Sequence, residues 1–310
     1  MNLFQETVRP VADLFYRRGD PNDSRLGETA LSLPVDYGLS DVVLLGLPQD
    51  DGVRRNRGRP GAKEAPDAIR RALYRMIDVP GLRLFDLGNT RIHPTLEATH
   101  EAHREVVRKV LRDGKLLIVL GGGNDTSYPD CSGLAMETKE PILAFNIDAH
   151  FDVRADPVRN SGTPYRQLLV EEYIHPFSLF QIGYQPFSNS LVYRQWLMDV
   201  GVNVFSASET RRFGVENYLT AILARRVEGA IFWGLDMDVV RASEAPGVSA
   251  PNALGFTADE FCSVAAVAGR ERRTRLFEIT EVNPSHDLDD RTSRLAATAV
   301  WTFLWEYRNR

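Results

Sequence analysis

Cysteine is nearly absent: the 310 residues include only Cys131 and Cys262. A disulfide-stapled secreted scaffold is therefore excluded, and a reducing, cytoplasmic compartment is expected. No apolar run approaches the ~18 residues that cross a bilayer. Met1 to Asp20 carries Asn, Gln, Glu and several Arg where a secretory signal would place an apolar segment. No membrane partner is expected. Basic blocks are missing as well: 37 Lys and Arg stand against 42 Asp and Glu, a net charge of −5, which argues against nucleic acid as a partner. Neither the dinucleotide fingerprint nor the Walker spacing is present. Internal repeats and low-complexity linkers are also lacking, so residues 1–310 read as one domain, with 1–40 a peripheral N-terminal segment.

What is present is a series of short apolar runs rich in Val, Ile, Leu and Phe. They are Val42–Leu47, Leu82–Leu87, Leu116–Leu120, Ile142–Ile147, Leu179–Ile182, Val202–Phe205, Ala230–Leu235 and Leu276–Thr280. The runs are continuous rather than alternating, as expected of strands covered on both faces. Helix-like stretches lie between several of them: Ala65–Met76, Leu96–Asp113, Val215–Arg226 and Ala258–Arg270. This alternation predicts an α/β fold with about eight mostly parallel strands. Ligands of such sheets gather at the carboxyl ends of the strands, whether the sheet is open or closed. Two long polar loops, Pro157 to Arg166 and Arg241 to Asn252, are placed to contribute to a site.

Chemistry-bearing residues do follow the strand runs. Asp148-Ala149-His150-Phe151-Asp152 comes after the fourth, and Asp236-Met237-Asp238 after the seventh. Residues i and i+2 of extended backbone point to the same side. Asp148, His150 and Asp152 can thus converge from one strand end, and Asp236 with Asp238 from another. A lone Asp after a strand is ordinarily a cap or turn former, but two such clusters in one sheet are not explained that way. Four carboxylates packed around one imidazole repel one another unless cations neutralise them. Oxygen-rich ligation with an imidazole suits Mn2+, and carboxylates able to bridge suggest two ions. Gly121-Gly122-Gly123-Asn124-Asp125 follows the third run, and its glycines permit close backbone approach. Glu278-Ile279-Thr280-Glu281-Val282-Asn283-Pro284 spans the end of the eighth. A Glu there pairs with a cationic substrate group or is a plain solvent-exposed acid.

Together these segments resemble the ureohydrolase superfamily, which includes arginase, agmatinase and formimidoylglutamase. The resemblance runs from about Val42 to Trp305. Within the superfamily the chain is most similar to formimidoylglutamases, on the strength of Asp51-Gly52-Val53, Asn56-x-Gly58-Arg59-Pro60-Gly61-Ala62, Ser161-Gly162-Thr163-Pro164-Tyr165-Arg166-Gln167 and Ala245-Pro246-Gly247-Val248-Ser249-Ala250-Pro251. The resemblance implies a three-layer α/β/α arginase-like fold with a central eight-stranded mostly parallel sheet, and a homo-oligomer. It implies two Mn2+ ions per chain. One is held by the residue at 124 with Asp148, Asp152 and Asp236, and the other by His150, Asp148, Asp236 and Asp238, with Asp148 and Asp236 bridging. Here Asn124 stands where the family usually has His, and Gly234 where many members have Ser. An amide oxygen is a weaker donor than imidazole, so the site next to Asn124 is expected to be weakened.

The implied reaction is hydrolysis of N-formimino-L-glutamate to L-glutamate and formamide by a metal-activated hydroxide, a step of histidine degradation. Glu281 would hold the amidinium of this small-molecule amidino substrate, and Asp152 would shuttle a proton to the leaving amine. Two substrate carboxylates call for cationic partners. Arg59, Arg154 and Arg166 are the candidates, with Asn160 and Ser161 as polar contacts. Another guanidino or amidino substrate (arginine, agmatine, guanidinobutyrate) is the alternative, as is a metal-poor, catalytically lapsed binding homologue. Tyr128, Tyr165 and both cysteines read as packing residues.

Overall fold

The structure, a computed structural model, describes residues 2–226 and 229–310. Its centre is a nine-stranded sheet: β1 (Thr7–Val8), β2 (Val42–Gly46), β3 (Leu84–Thr90), β4 (Leu116–Leu120), β5 (Leu143–Ile147), β6 (Leu179–Tyr184), β7 (Asn203–Ser206), β8 (Ile231–Asp236) and β9 (Thr274–Thr280). The strand order is β1-β3-β2-β4-β9-β8-β5-β6-β7. Strands β2 to β9 are parallel and correspond to the eight apolar runs. The ninth is an addition: Thr7 and Val8 pair antiparallel with Thr90 and Asn89 on the β3 edge. Two residues carry no readable periodicity, so the sequence does not announce this strand.

Alternation along the buried strands feeds two cores. Val42, Leu44, Ile118, Phe145 and Trp233 point into one, which is covered by the helices 65–73, 215–223, 258–270 and 291–309. Val43, Leu45, Val119 and Ala144 point into the other, covered by 96–112, 127–137, 164–170 and 191–200. Both faces of the sheet are thus dry, which is why the strands lack polar alternation. Local signals start the helices. Thr257 accepts from the Glu260 N–H at 3.0 Å while Glu260 accepts from the Thr257 N–H at 2.8 Å, a reciprocal cap. Thr95 caps 96–112 through the Ala98 N–H at 3.2 Å.

The helix Ser127–Glu137 has no amphipathic pattern, because Ser127 through Leu134 are all buried. It begins at the end of the Gly-rich loop and docks beneath the strand ends. Close approach explains two of the glycines. A Cβ on Gly122 would overlap the carbonyl of Gln49, and one on Gly52 would overlap the Asp125 carboxylate. The loops after β2 and β4 therefore interlock, fixing where Asn124 emerges. No helix among the described residues is long and apolar enough to cross a membrane.

Candidate metal centre

Four neighbouring strands, β4, β9, β8 and β5, deliver the site from their carboxyl ends. β5 and β8 run in register with Ile147 beside Leu235, so the next residues, Asp148 and Asp236, leave the sheet side by side. Asp238 follows one turn later, its N–H donating to Asp236 Oδ1 at 2.8 Å. His150 arches back over Asp148, whose Oδ1 accepts from the His150 N–H at 2.6 Å. The His150 Nδ1 then lies 2.9 Å from Asp238 Oδ2. Two ligand groups result, Asp148–His150–Asp238 and Asp148–Asp152–Asp236, each with donor atoms within 4.8 Å of one another. Asp148 belongs to both groups, whereas Asp236, which the family resemblance makes a second bridge, belongs to one.

Burial dominates the electrostatics. It pushes the Asp148 carboxyl up to about 6, with Asp238 adding repulsion. Burial likewise holds Asp152 and Asp236 well above the ordinary carboxylate range, reinforced by neighbouring carboxylates. Burial alone would push the His150 imidazolium down, but Asp238 and Asp148 hold it up, to about 12. A cluster of acids that ionise only reluctantly, braced by one imidazolium, is what a cation-binding site looks like without its cations.

Asn124 lies within this cluster. Its Nδ2 donates to Asp148 at 3.1 Å and Asp152 at 2.5 Å. Its Oδ1, the only atom of the amide able to ligate a metal, accepts from the Ser127 and Thr280 hydroxyls at 3.0 Å each. Thus the residue is in place, with its donor oxygen turned away from the acids. Glu281 accepts from the Asn124 N–H at 2.8 Å through Oε1, leaving Oε2 buried without a partner. Burial raises this carboxyl to about 8.

Above the cluster is a cavity of about 240 Å3. Among its lining residues are His150, Asp152, Asp236, Asp238, Glu281, Ser161 and Arg154 from the sequence reading. Arg57, Asn56 and Ser249 also line it and were not anticipated. Asn56 and Ser249 belong to segments that carry the formimidoylglutamase resemblance, so that signal was available. Arg57, Asp152 and Glu281 share a further property: φ of 62°, 49° and 63°, left-handed backbone that non-glycine residues seldom adopt. Backbone strain of this kind gathers at functional sites. A larger cavity, about 760 Å3, lies near Ile142, Ile174 and Pro176, at the opposite ends of the strands, and contains no metal-type cluster.

Three expected substrate contacts are employed elsewhere. Arg59 donates to the carbonyls of Val248 and Pro246, tying down the 245–251 loop. Arg166 lies 3.7 Å over the Trp196 ring. Asn160 is buried and closes its own turn, accepting from the Gly162 N–H and donating to Asp156, both at 2.9 Å. Glu278, read as either a substrate partner or a solvent-exposed acid, is 0% exposed on β9 and accepts from Ser127 at 2.8 Å. Tyr128, Tyr165 and Cys131 are buried packing residues, whereas Cys262 is half-buried.

A parallel sheet carrying two overlapping clusters at its strand ends, one of carboxylates with an imidazole and one of carboxylates alone, defines a metal-dependent hydrolase centre of the arginase type. The chain belongs to the arginase family, whose model matches residues 40–305. It is 35% identical over 274 residues to the formimidoylglutamase of Rhodococcus jostii, covering 83% of each chain. A Klebsiella pneumoniae formimidoylglutamase is 34% identical, with 99% of this chain and 100% of that protein covered. Trypanosoma cruzi formiminoglutamase, solved with Mn2+, superposes with a TM-score of 0.87 at 30% identity, covering 93% of this chain and 99% of the other.

Proposed function

We propose that the chain hydrolyses N-formimino-L-glutamate to L-glutamate and formamide with two Mn2+ ions, in the cytoplasm, as a homo-oligomer acting in histidine degradation. The observation that carries this reading is the pair of ligand groups sharing Asp148 on the floor of a cavity that also presents the unpartnered Glu281 Oε2. When bound, a pair of divalent cations brings the pKa of water towards neutrality and supplies Lewis acidity.

The chain's own residues do the rest. Asp148 would serve both cations, with Asp152, Asp236 and Asn124 holding one and His150 and Asp238 the other; Asp236 would bridge as well if the family pattern holds. Glu281 meets the amidinium of the substrate, because a buried carboxyl without a partner ionises most readily beside a cation. Asp152, facing the same cavity, is placed to pass a proton to the leaving nitrogen. Water oxygen becomes the formamide oxygen, the bond from the formimino carbon to the glutamate nitrogen breaks, and that nitrogen leaves as the amine. Arg57 and Arg154 are exposed at the rim, with no ion pair or side-chain hydrogen bond among the described residues, and suit the two substrate carboxylates. Ser161, held by Asn56 at 3.0 Å, borders the same rim.

The test is glutamate release from N-formimino-L-glutamate by metal-stripped protein across a Mn2+ titration, with arginine, agmatine and guanidinobutyrate alongside. Activity that rises with Mn2+ and is confined to the formimino compound supports the reading. Turnover of a guanidino compound instead, or none at saturating Mn2+, refutes it.

A further inference from the structure

The Asn124 carboxamide has the same shape at both ends but different chemistry. Between the Ser127 and Thr280 hydroxyls on one side and the Asp148 and Asp152 carboxylates on the other, a half-turn about Cβ–Cγ exchanges oxygen and nitrogen without displacing a neighbour. Hydroxyls both donate and accept, so they tolerate either end. On the hydroxyl side the orientation depends on which way the Ser127 and Thr280 protons point. Ser127 Oγ can donate to Asn124 Oδ1 at 3.0 Å or to Glu278 Oε2 at 2.8 Å, and the Tyr165 hydroxyl, itself a donor, lies beside it.

We propose that Glu278 is a positioning residue for the metal centre: by accepting the Ser127 proton it lets Ser127 accept from the Asn124 amide, turning the amide oxygen towards the Asp148–Asp152–Asp236 group. This rests on the metal-centre reading above but not on the identity of the substrate. Without cations, Asp148 and Asp152 compete for the amide N–H and win, which is the orientation in the structure. Cations that engage those carboxylates remove the competition. The preference set by Glu278 then brings the oxygen round as a ligand.

The surroundings of Glu278 are built to keep Oε2 an acceptor. Its other oxygen, Oε1, and Asp130 Oδ2 are both buried with no hydrogen-bond partner among the described residues, and burial raises both carboxyls well above their ordinary range, so an acid proton on Oε1 leaves Oε2 free to accept from Ser127. Asp130 Oδ1 in turn lies 2.8 Å from His103 Nε2, and His103 Nδ1 lies 2.6 Å from the Thr90 hydroxyl. Burial depresses His103 to about 3, so it is neutral, donating to Asp130 and accepting from Thr90. Thr90, His103, Asp130, Glu278, Ser127 and Asn124 are each 2% exposed or less. Gly234 leaves the space open, since a Cβ there would lie 3.2 Å from Glu278 Oε2. No part of this line faces the substrate cavity, and the proposed reaction makes no other use of it.

The experiment counts Mn2+ by calorimetric titration of metal-stripped protein, with melting temperature as the check on folding. Wild type is expected to bind two ions. Glu278→Gln also binds two, because its amide oxygen accepts from Ser127 while its NH2 faces Asp130. Glu278→Met, which removes the acceptor, weakens one of the two sites by roughly tenfold or more and spares the other. Adding Asn124→His to Glu278→Met restores the weakened site, since an imidazole needs no turning by Ser127. Should Glu278→Met fail to fold, Ser127→Ala is expected to weaken the same site, again rescued by Asn124→His. Two unweakened ions in Glu278→Met or Ser127→Ala, equal loss of both, or no rescue would overturn the proposal. Absence of Mn2+ binding by wild type would overturn the metal reading itself.

Discussion

Replacing Asp148 by Asn makes the metal-free chain more stable at neutral pH while destroying its response to metal. The Asp148 carboxyl is raised from 3.8 to about 6 by burial and by Asp238. A raised value means the folded chain holds the proton more tightly than the unfolded one. The associated stability is fully present below about pH 4 and lost as pH climbs to about 6. At 1.36 kcal/mol per pKa unit, ionised Asp148 costs the folded state about 3 kcal/mol at pH 7.5. Asn keeps an oxygen for the His150 N–H but turns an NH2 towards the Asn124 and Asn146 side-chain amides that donate to Asp148 Oδ2. Losing these two hydrogen bonds costs about 2 kcal/mol, at about 1 kcal/mol each. The net gain is therefore about 1 kcal/mol, or about 2 °C in melting temperature for a chain of this size. The assay is thermal unfolding of chelator-treated wild type and variant at pH 7.5 and pH 4.5, with and without Mn2+. The variant should lead at pH 7.5, lose that lead at pH 4.5, and show no rise with Mn2+ where wild type rises. A metal-free variant no more stable than wild type at pH 7.5, or one with the same margin at both pH values, refutes the reasoning.

Asn124→His should retain more Mn2+ through dialysis than wild type, because imidazole is the stronger donor; equal metal content by elemental analysis contradicts this. Gly234→Ser should destabilise the chain by about 1–3 kcal/mol in denaturant titrations, since a Cβ there meets the Tyr165 hydroxyl at 2.5 Å and the Phe232 ring at 2.9 Å. Arg154→Ala should raise KM for the formimino substrate several-fold with kcat little changed, whereas Arg166→Ala, whose guanidinium lies on Trp196, should leave KM where it was. Steady-state kinetics separate the two, and the reverse pattern would exchange their roles.

The eight parallel strands were legible because both faces of the sheet are dry, which leaves uninterrupted runs such as Leu116–Leu120. The convergence of Asp148, His150 and Asp152 was legible because a strand end aligns every second side chain, so their spacing already has geometric meaning. The helix Ser127–Glu137 was not, since burial on all sides erases the helical period and Pro129 reads as a breaker. Nor could spacing sort the arginines. Arg59 finds its acceptors at Pro246 and Val248, far along the chain, and Arg166 finds an aromatic face. Long-range partners decide whether a guanidinium is free, and a linear reading contains no such partners. The orientation of the Asn124 amide was equally hidden, because it depends on hydroxyls from a helix and from β9 that meet only in the folded chain.

The pairing of β5 with β8 ties together stretches that β6, β7 and their helices separate in sequence, so Asp148 and Asp236 stand side by side only once that long-range pairing has formed. If that pair holds cations as proposed, they bind the folded chain in preference to the unfolded one. A ligand of this kind adds about 4 kcal/mol to stability at a thousand times its Kd. Manganese supply would then set how long each molecule survives proteolysis as well as how fast it works, so a manganese-starved cell would lose the protein along with its activity.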